Sequence, residues 1–234
     1  MKSIVDEPCL EALKGDRVKV IGGHRAPCHG LLGKTDSLEV DPLPLQVNLA
    51  LGLDPLSPLV YAVGAYALYL GCAYPEAERL TRRALELHPD NMLGLAMLPL
   101  VLTHNGRAAD AIPVAERLVA LSGRPAALSL LGQVYGFAGR IDDLIRLEYQ
   151  VEEWRRRGEY ITPLSKVRFA LGRGDGGLIR RALEDCLADN TSFASLRTSV
   201  GPFLDAWRTD GAIDELLLRL GDGVRPPRPM NTGA

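Results

Sequence analysis

The residues best equipped for chemistry lie near the amino terminus. His24, Cys28 and His29 cluster there, with Cys9 upstream. Two thiolates and two imidazoles make a ligand set for tetrahedral zinc. Their spacing matches no common zinc site, and adjacent Cys28 and His29 would strain to share one ion. No metal site is assigned and no cofactor is expected. A small metal-binding protein or enzyme using His24, Cys28 and His29 stands as an alternative. Gly172, Gly174 and Gly177 match the dinucleotide fingerprint by letter. That chemistry needs a strand before the glycines and a helix after them, so that backbone amides face a pyrophosphate. Here a helical pattern precedes them, and they read as a turn between helices. No nucleophile–base set can be placed. Asp142-Asp143 and Glu152-Glu153 read as a helix start and a solvated face, so no catalytic residue is assigned. The densest basic run, Arg155-Arg156-Arg157, suits a helix C-terminus, where cations are favoured.

Composition narrows the classes. Among 234 residues, 27 basic and 29 acidic side chains give a net charge of −2. A basic nucleic-acid footprint is therefore absent at whole-chain level, and no nucleic-acid partner is expected. Only 6 % of residues are aromatic, and Leu, Ala, Arg and Gly dominate, which favours helix over sheet. Cys9, Cys28, Cys72 and Cys186 are scattered as core thiols of a reduced, cytoplasmic protein are. No signal-peptide pattern is visible. From Pro55 to Pro75 there is no charged residue, but prolines leave only Leu59 to Tyr74 uninterrupted, too short to span a bilayer comfortably. No membrane association is expected.

The elements that would position any site come from a repeat of about 34 residues. Units opening near Pro58, Met92 and Pro125 carry the same marks in register. Leu68, Leu102 and Tyr135 align, as do Leu98 and Leu131, Ala77 and Ala111, and Ala84, Leu118 and Val151. Gly106-Arg107 and Gly139-Arg140 align at a turn. Small residues let two helices approach closely, large apolar ones fill the seam between hairpins, and glycine accepts the left-handed conformation that ends a helix. Two departures stand out. Pro99 takes a small residue's place and is expected to kink or disturb its helix. Leu144 takes the place of an alanine and is expected to push its hairpin apart.

Leu131-Gly132-x-x-Tyr135, Ala138-Gly139-Arg140 and the run Ala84 to Asn91 resemble tetratricopeptide repeats, over roughly residues 58–158. The resemblance implies an all-α, right-handed solenoid of antiparallel helical hairpins. It continues through helices near Pro163–Leu171 and Gly177–Ala188 to a last helix, Gly211–Leu220. A C-terminal cap built on Phe203, Leu204, Trp207, Ile213 and Leu217 is expected. This ending is similar to repeat arrays of bacterial winged-helix or adenylate-cyclase-type regulators. The expected organisation is an irregular leader over 1–43, a repeat domain over 44–221 and a loose tail over 222–234.

The resemblance also implies a concave face lined by the first helix of each hairpin. The lysines and asparagines that clamp a partner's terminal carboxylate in some members are missing from it. Tyr66, Tyr69, His104, Gln133 and Phe137 are the expected contacts to a peptide or helix of unknown identity. Protein–protein interaction without chemistry of its own is the leading expectation. The alternative is the regulatory half of a transcription regulator or cyclase whose effector domain is not in this chain. The sticky end of the first, incomplete repeat is the expected surface for a homodimer.

Overall fold

The computed structural model describes residues 42–191 and 193–221, and the leader's His24, Cys28 and His29 lie outside them. Among the described residues there are eleven α-helices and no strand. They are α1 (Pro42–Leu53), α2 (Pro58–Leu70), α3 (Tyr74–Leu87), α4 (Met92–His104), α5 (Ala108–Ser122), α6 (Pro125–Phe137), α7 (Ile141–Arg156), α8 (Pro163–Arg173), α9 (Gly176–Ala188), α10 (Phe193–Leu204) and α11 (Gly211–Leu220). A short 3₁₀ turn, Asp205–Trp207, joins the last two.

Local chemistry sets these boundaries. Pro58, Pro125 and Pro163 sit at helix starts, where proline's missing N–H costs nothing. Ser57, Asn91, Asp175 and Asp210 cap α2, α4, α9 and α11 by accepting hydrogen bonds from backbone amides two to three residues on. One turn recurs. After α2, α4, α6 and α8 the chain passes through a left-handed residue, in order Cys72, Gly106, Gly139 and Gly174. In each case the next amide donates back into the last turn of the preceding helix, for instance Arg107 to the Leu102 carbonyl and Arg140 to that of Tyr135. Three glycines and one cysteine thus repeat at intervals of about 34 residues.

Consecutive helices from α1 to α7 pack on one another, α8 packs closely with α9, and α2, α4, α6 and α8 also pack in series. Of these even helices, α4 and α6 are the most deeply interior. From Met92 to Thr103, α4 carries no charge, and Leu95 and Met97 to Thr103 are buried without a break. In α6, every residue from Ala127 to Tyr135 is buried. A helix buried all round needs cover on both sides. The odd helices α3, α5 and α7 are amphipathic and cover one side only. The membrane-length apolar stretch resolves into α2 and its turn, and among the described residues no helix is long and apolar enough to cross a membrane.

Both departures are accommodated within the packing. The helix runs unbroken through Pro99, which is buried, and Thr103 Oγ1 donates to the Pro99 carbonyl at 2.7 Å. Tertiary burial along all of α4 outweighs the one missing backbone bond. Leu144 is fully buried, and its space comes from glycine: a Cβ on Gly172 would lie 2.8 Å from Leu144 Cδ1 and 3.0 Å from the Gly132 carbonyl. A Cβ on Gly136 would overlap the backbone of Gly172, and one on Gly132 would meet the Phe169 ring. Gly132, Gly136 and Gly172 thus bring α6 and α8 into backbone contact. With α8 drawn onto α6, it touches α7 only lightly.

Candidate interaction face

Tyr66 and Tyr69 stand on α2, His104 ends α4, and Gln133 and Phe137 lie on α6. The structure sets His104 and Phe137 against one ring, Phe203 of α10, with Tyr69 against His104. His104 stacks on Phe203 with centroids 3.9 Å apart and on Tyr74 at 4.4 Å, so the imidazole lies between two aromatic rings. Tyr69 meets His104 edge-on, with Oη 3.4 Å from Nε2. Phe137 reaches Phe203 at 5.2 Å and keeps 46 % of its surface exposed. Tyr66 is half-buried beside the same core. Burial pulls the His104 pKa down to about 4, so the ring is neutral near pH 7.

Part of the face read from sequence is therefore covered by the chain's own α10, through Phe203 on His104 and Phe137, while Phe137 keeps an exposed edge. Leu196, Val200, Phe203 and Leu204 are all buried and join the core that contains Tyr69, Leu100 and Val167. Their spacing, i, i+4, i+7 and i+8, is one face of a helix. The expected cap thus divides in two. Ile213 and Leu217 of α11 are buried where that helix packs on α9, at the end of the array. Phe203 and Leu204 instead turn back over the even helices. The corner between α10 and α11 is pinned by Arg208, which donates to Asp205 at 3.1 Å and to Asp214 at 2.7 Å. Trp207 packs beside Gly176, where a Cβ would lie 3.1 Å from the indole.

Two polar side chains under this face are unusual. Gln133 is 1 % exposed, and neither Oε1 nor Nε2 has a hydrogen-bond partner. Arg168 of α8 donates from Nη1 to the Ala126 carbonyl at 3.1 Å while its Nε is buried without a partner. Desolvation lowers the Arg168 pKa to about 10, which leaves it charged. Sequence reasoning found Gln133 and missed Arg168, Tyr74 and the docking role of Phe203. The one signal for α10 was its apolar spacing, blurred by Ser195, Ser199, Gly201 and Pro202.

The rest of the surface carries ion pairs, most of them within one helix and a few, such as Arg107 with Glu78 and Arg117 with Asp90, between helices. Glu78 accepts from Asn105 at 2.6 Å and from Arg107 at 2.8 Å, and these partners, with Arg82, hold its carboxyl below the usual range although partial burial works against them. Tyr135 donates to Glu116 at 2.9 Å, and burial together with that bond pushes its pKa up to about 12. Arg155 and Arg156, from the basic run, pair with Glu152 and Glu153. The glycine fingerprint falls at the end of α8, its turn and the start of α9, with a helix where a strand would be required. Among the described residues, no three His, Cys, Asp or Glu side chains group to hold a metal ion. Comparison with known protein families finds no match, and no curated protein matches the sequence.

Proposed function

We propose that this chain is a tetratricopeptide-like solenoid that holds an amphipathic helix of a protein partner on the face of its even helices. The observation that carries the reading is the seating of Phe203 of α10 against His104 and Phe137, with Leu196, Val200 and Leu204 buried in the same core at the spacing by which helices dock in grooves. The surface has the chemistry to bind a helix, and α10 occupies it in cis. A partner must displace α10 or extend its contacts from the exposed edge at Phe137.

The test is affinity capture from host lysate with three full-length baits, each first checked for helical content. They are the unmodified chain, Phe203→Asp, and Phe203→Asp combined with Tyr66→Ala and Phe137→Ala. A polypeptide held more strongly by Phe203→Asp than by the unmodified chain, and lost from the triple variant, supports the reading. Equal retention by all three contradicts it.

Self-association is a second, separate proposal. Leu49, Leu53, Leu56, Leu59 and Val63 are each at least half exposed along α1 and α2, an apolar strip suited to a second copy of the chain. Sedimentation of the unmodified chain as a dimer, and of Leu53→Asp as a monomer, supports it. A monomer at all concentrations contradicts it.

A further inference from the structure

The close crossing of α6 and α8 opens a cleft on another part of the molecule. Because α8 is drawn toward Gly132 and Gly136, and because the α7–α8 connection runs over residues 157–162, a wedge of about 300 Å³ separates α7 from α8 and α9. Its apolar lining comes from Val151, Ile161, Phe169, Ala170, Leu178 and Ala182. None of Tyr69, His104, Phe137 or Phe203 reaches it.

The rim is charged, and most of its charge is committed. Glu152 is held by Arg155 at 2.7 Å, Glu148 pairs with Arg173, and Lys166 donates to Asp185 at 2.6 Å. Arg181 is exposed at the rim, and among the described residues it forms no ion pair. A smaller cavity of about 220 Å³ near Pro113 makes the contrast, because its cation, Arg117, is spent on Asp90 at 2.7 Å. An apolar wedge with one uncommitted guanidinium at its mouth has the chemistry to take an apolar body with a single anionic head.

We propose that the α7–α8–α9 cleft is a binding site for a small amphipathic carboxylate, with its apolar part against Phe169 and Leu178 and its carboxylate on Arg181. At roughly 30 Å³ per heavy atom the wedge holds on the order of ten heavy atoms. That is the size of octanoate, which serves as the probe.

The experiment titrates octanoate and octanol into the isotope-labelled full-length chain and reads amide shifts and calorimetric affinity. Octanoate should perturb α7, α8 and α9 and bind several-fold more tightly than octanol. Arg181→Gln should bring octanoate down to octanol's affinity and leave octanol unchanged. Arg181 is exposed, so this variant should keep the fold, and its thermal transition checks that. Octanoate binding no tighter than octanol, selectivity that survives Arg181→Gln, shifts confined to α2 and α4, or no saturable binding would each overturn the proposal.

Discussion

Gly136→Ala changes one hydrogen into a methyl group where α6 meets the backbone of α8. The added Cβ would overlap the Gly172 carbonyl, its carbon and its Cα, all backbone atoms that no rotamer change can move aside. Restoring ordinary carbon–carbon contact at about 3.5 Å requires α6 and α8 to part by about 1 Å along the crossing. The same shift would unpack Phe169 from Gly132 and Leu144 from Gly172. Overpacking of this kind costs about 1–3 kcal/mol, and a backbone clash belongs at the upper end. Alanine's better helix propensity returns about 1 kcal/mol, so a net loss of about 2 kcal/mol is expected. Gly52→Ala is the control, since a Cβ there has nothing within 4 Å. It should be neutral or stabilising by up to about 1 kcal/mol. Urea unfolding followed by helical ellipticity reads both variants. If Gly136→Ala proves as stable as Gly52→Ala, α6 and α8 do not cross through these glycines, and the origin assigned to the cleft falls with them.

Three further outcomes are expected. Cys72 adopts φ 62 where the other turns use glycine, so Cys72→Gly should stabilise by about 1 kcal/mol in urea unfolding. Gln133→Met removes a buried amide with no partner and should stabilise by about 1–2 kcal/mol; a loss of stability would mean that the amide is satisfied in solution. For His104, the unfolded chain takes up a proton near pH 6.5 and the folded chain only near 4. The unfolded state holds more protons in that window, so stability is complete above pH 6.5, falls as the pH drops toward 4, and changes no further through this group below it. The loss amounts to at most about 3 kcal/mol, and urea midpoints of His104→Phe should lack that part of the pH dependence.

Helix boundaries were legible because short-range chemistry sets them. Pro163 starts a helix and Gly221 follows one as the sequence implied, and α9 begins at Gly176, one residue early. Pro99 weakens α4 locally, and the burial of α4 keeps the helix continuous through it. The room that Leu144 occupies was not legible, because the glycine beside it, Gly172, belongs to a later helix. The aromatic residues could be named from the sequence, since His104 and Phe137 fall at one repeat position and Tyr69 at the position before it. Their cover was not legible. Phe203 is far from His104 in sequence, and α10 is rich in serine, glycine and proline, which weaken a helical pattern without preventing a helix whose apolar face finds a core.

In the proposed function α10 acts as a ligand in cis. A fluorescently labelled peptide of residues 193–208, titrated into the full-length chain and into Phe203→Asp, tests this directly by anisotropy. The expected result is saturable binding to Phe203→Asp, weak or none to the unmodified chain, and loss of binding when Tyr66→Ala and Phe137→Ala are added. Equal binding to the unmodified chain and Phe203→Asp, or no binding to Phe203→Asp while it remains helical, would contradict it.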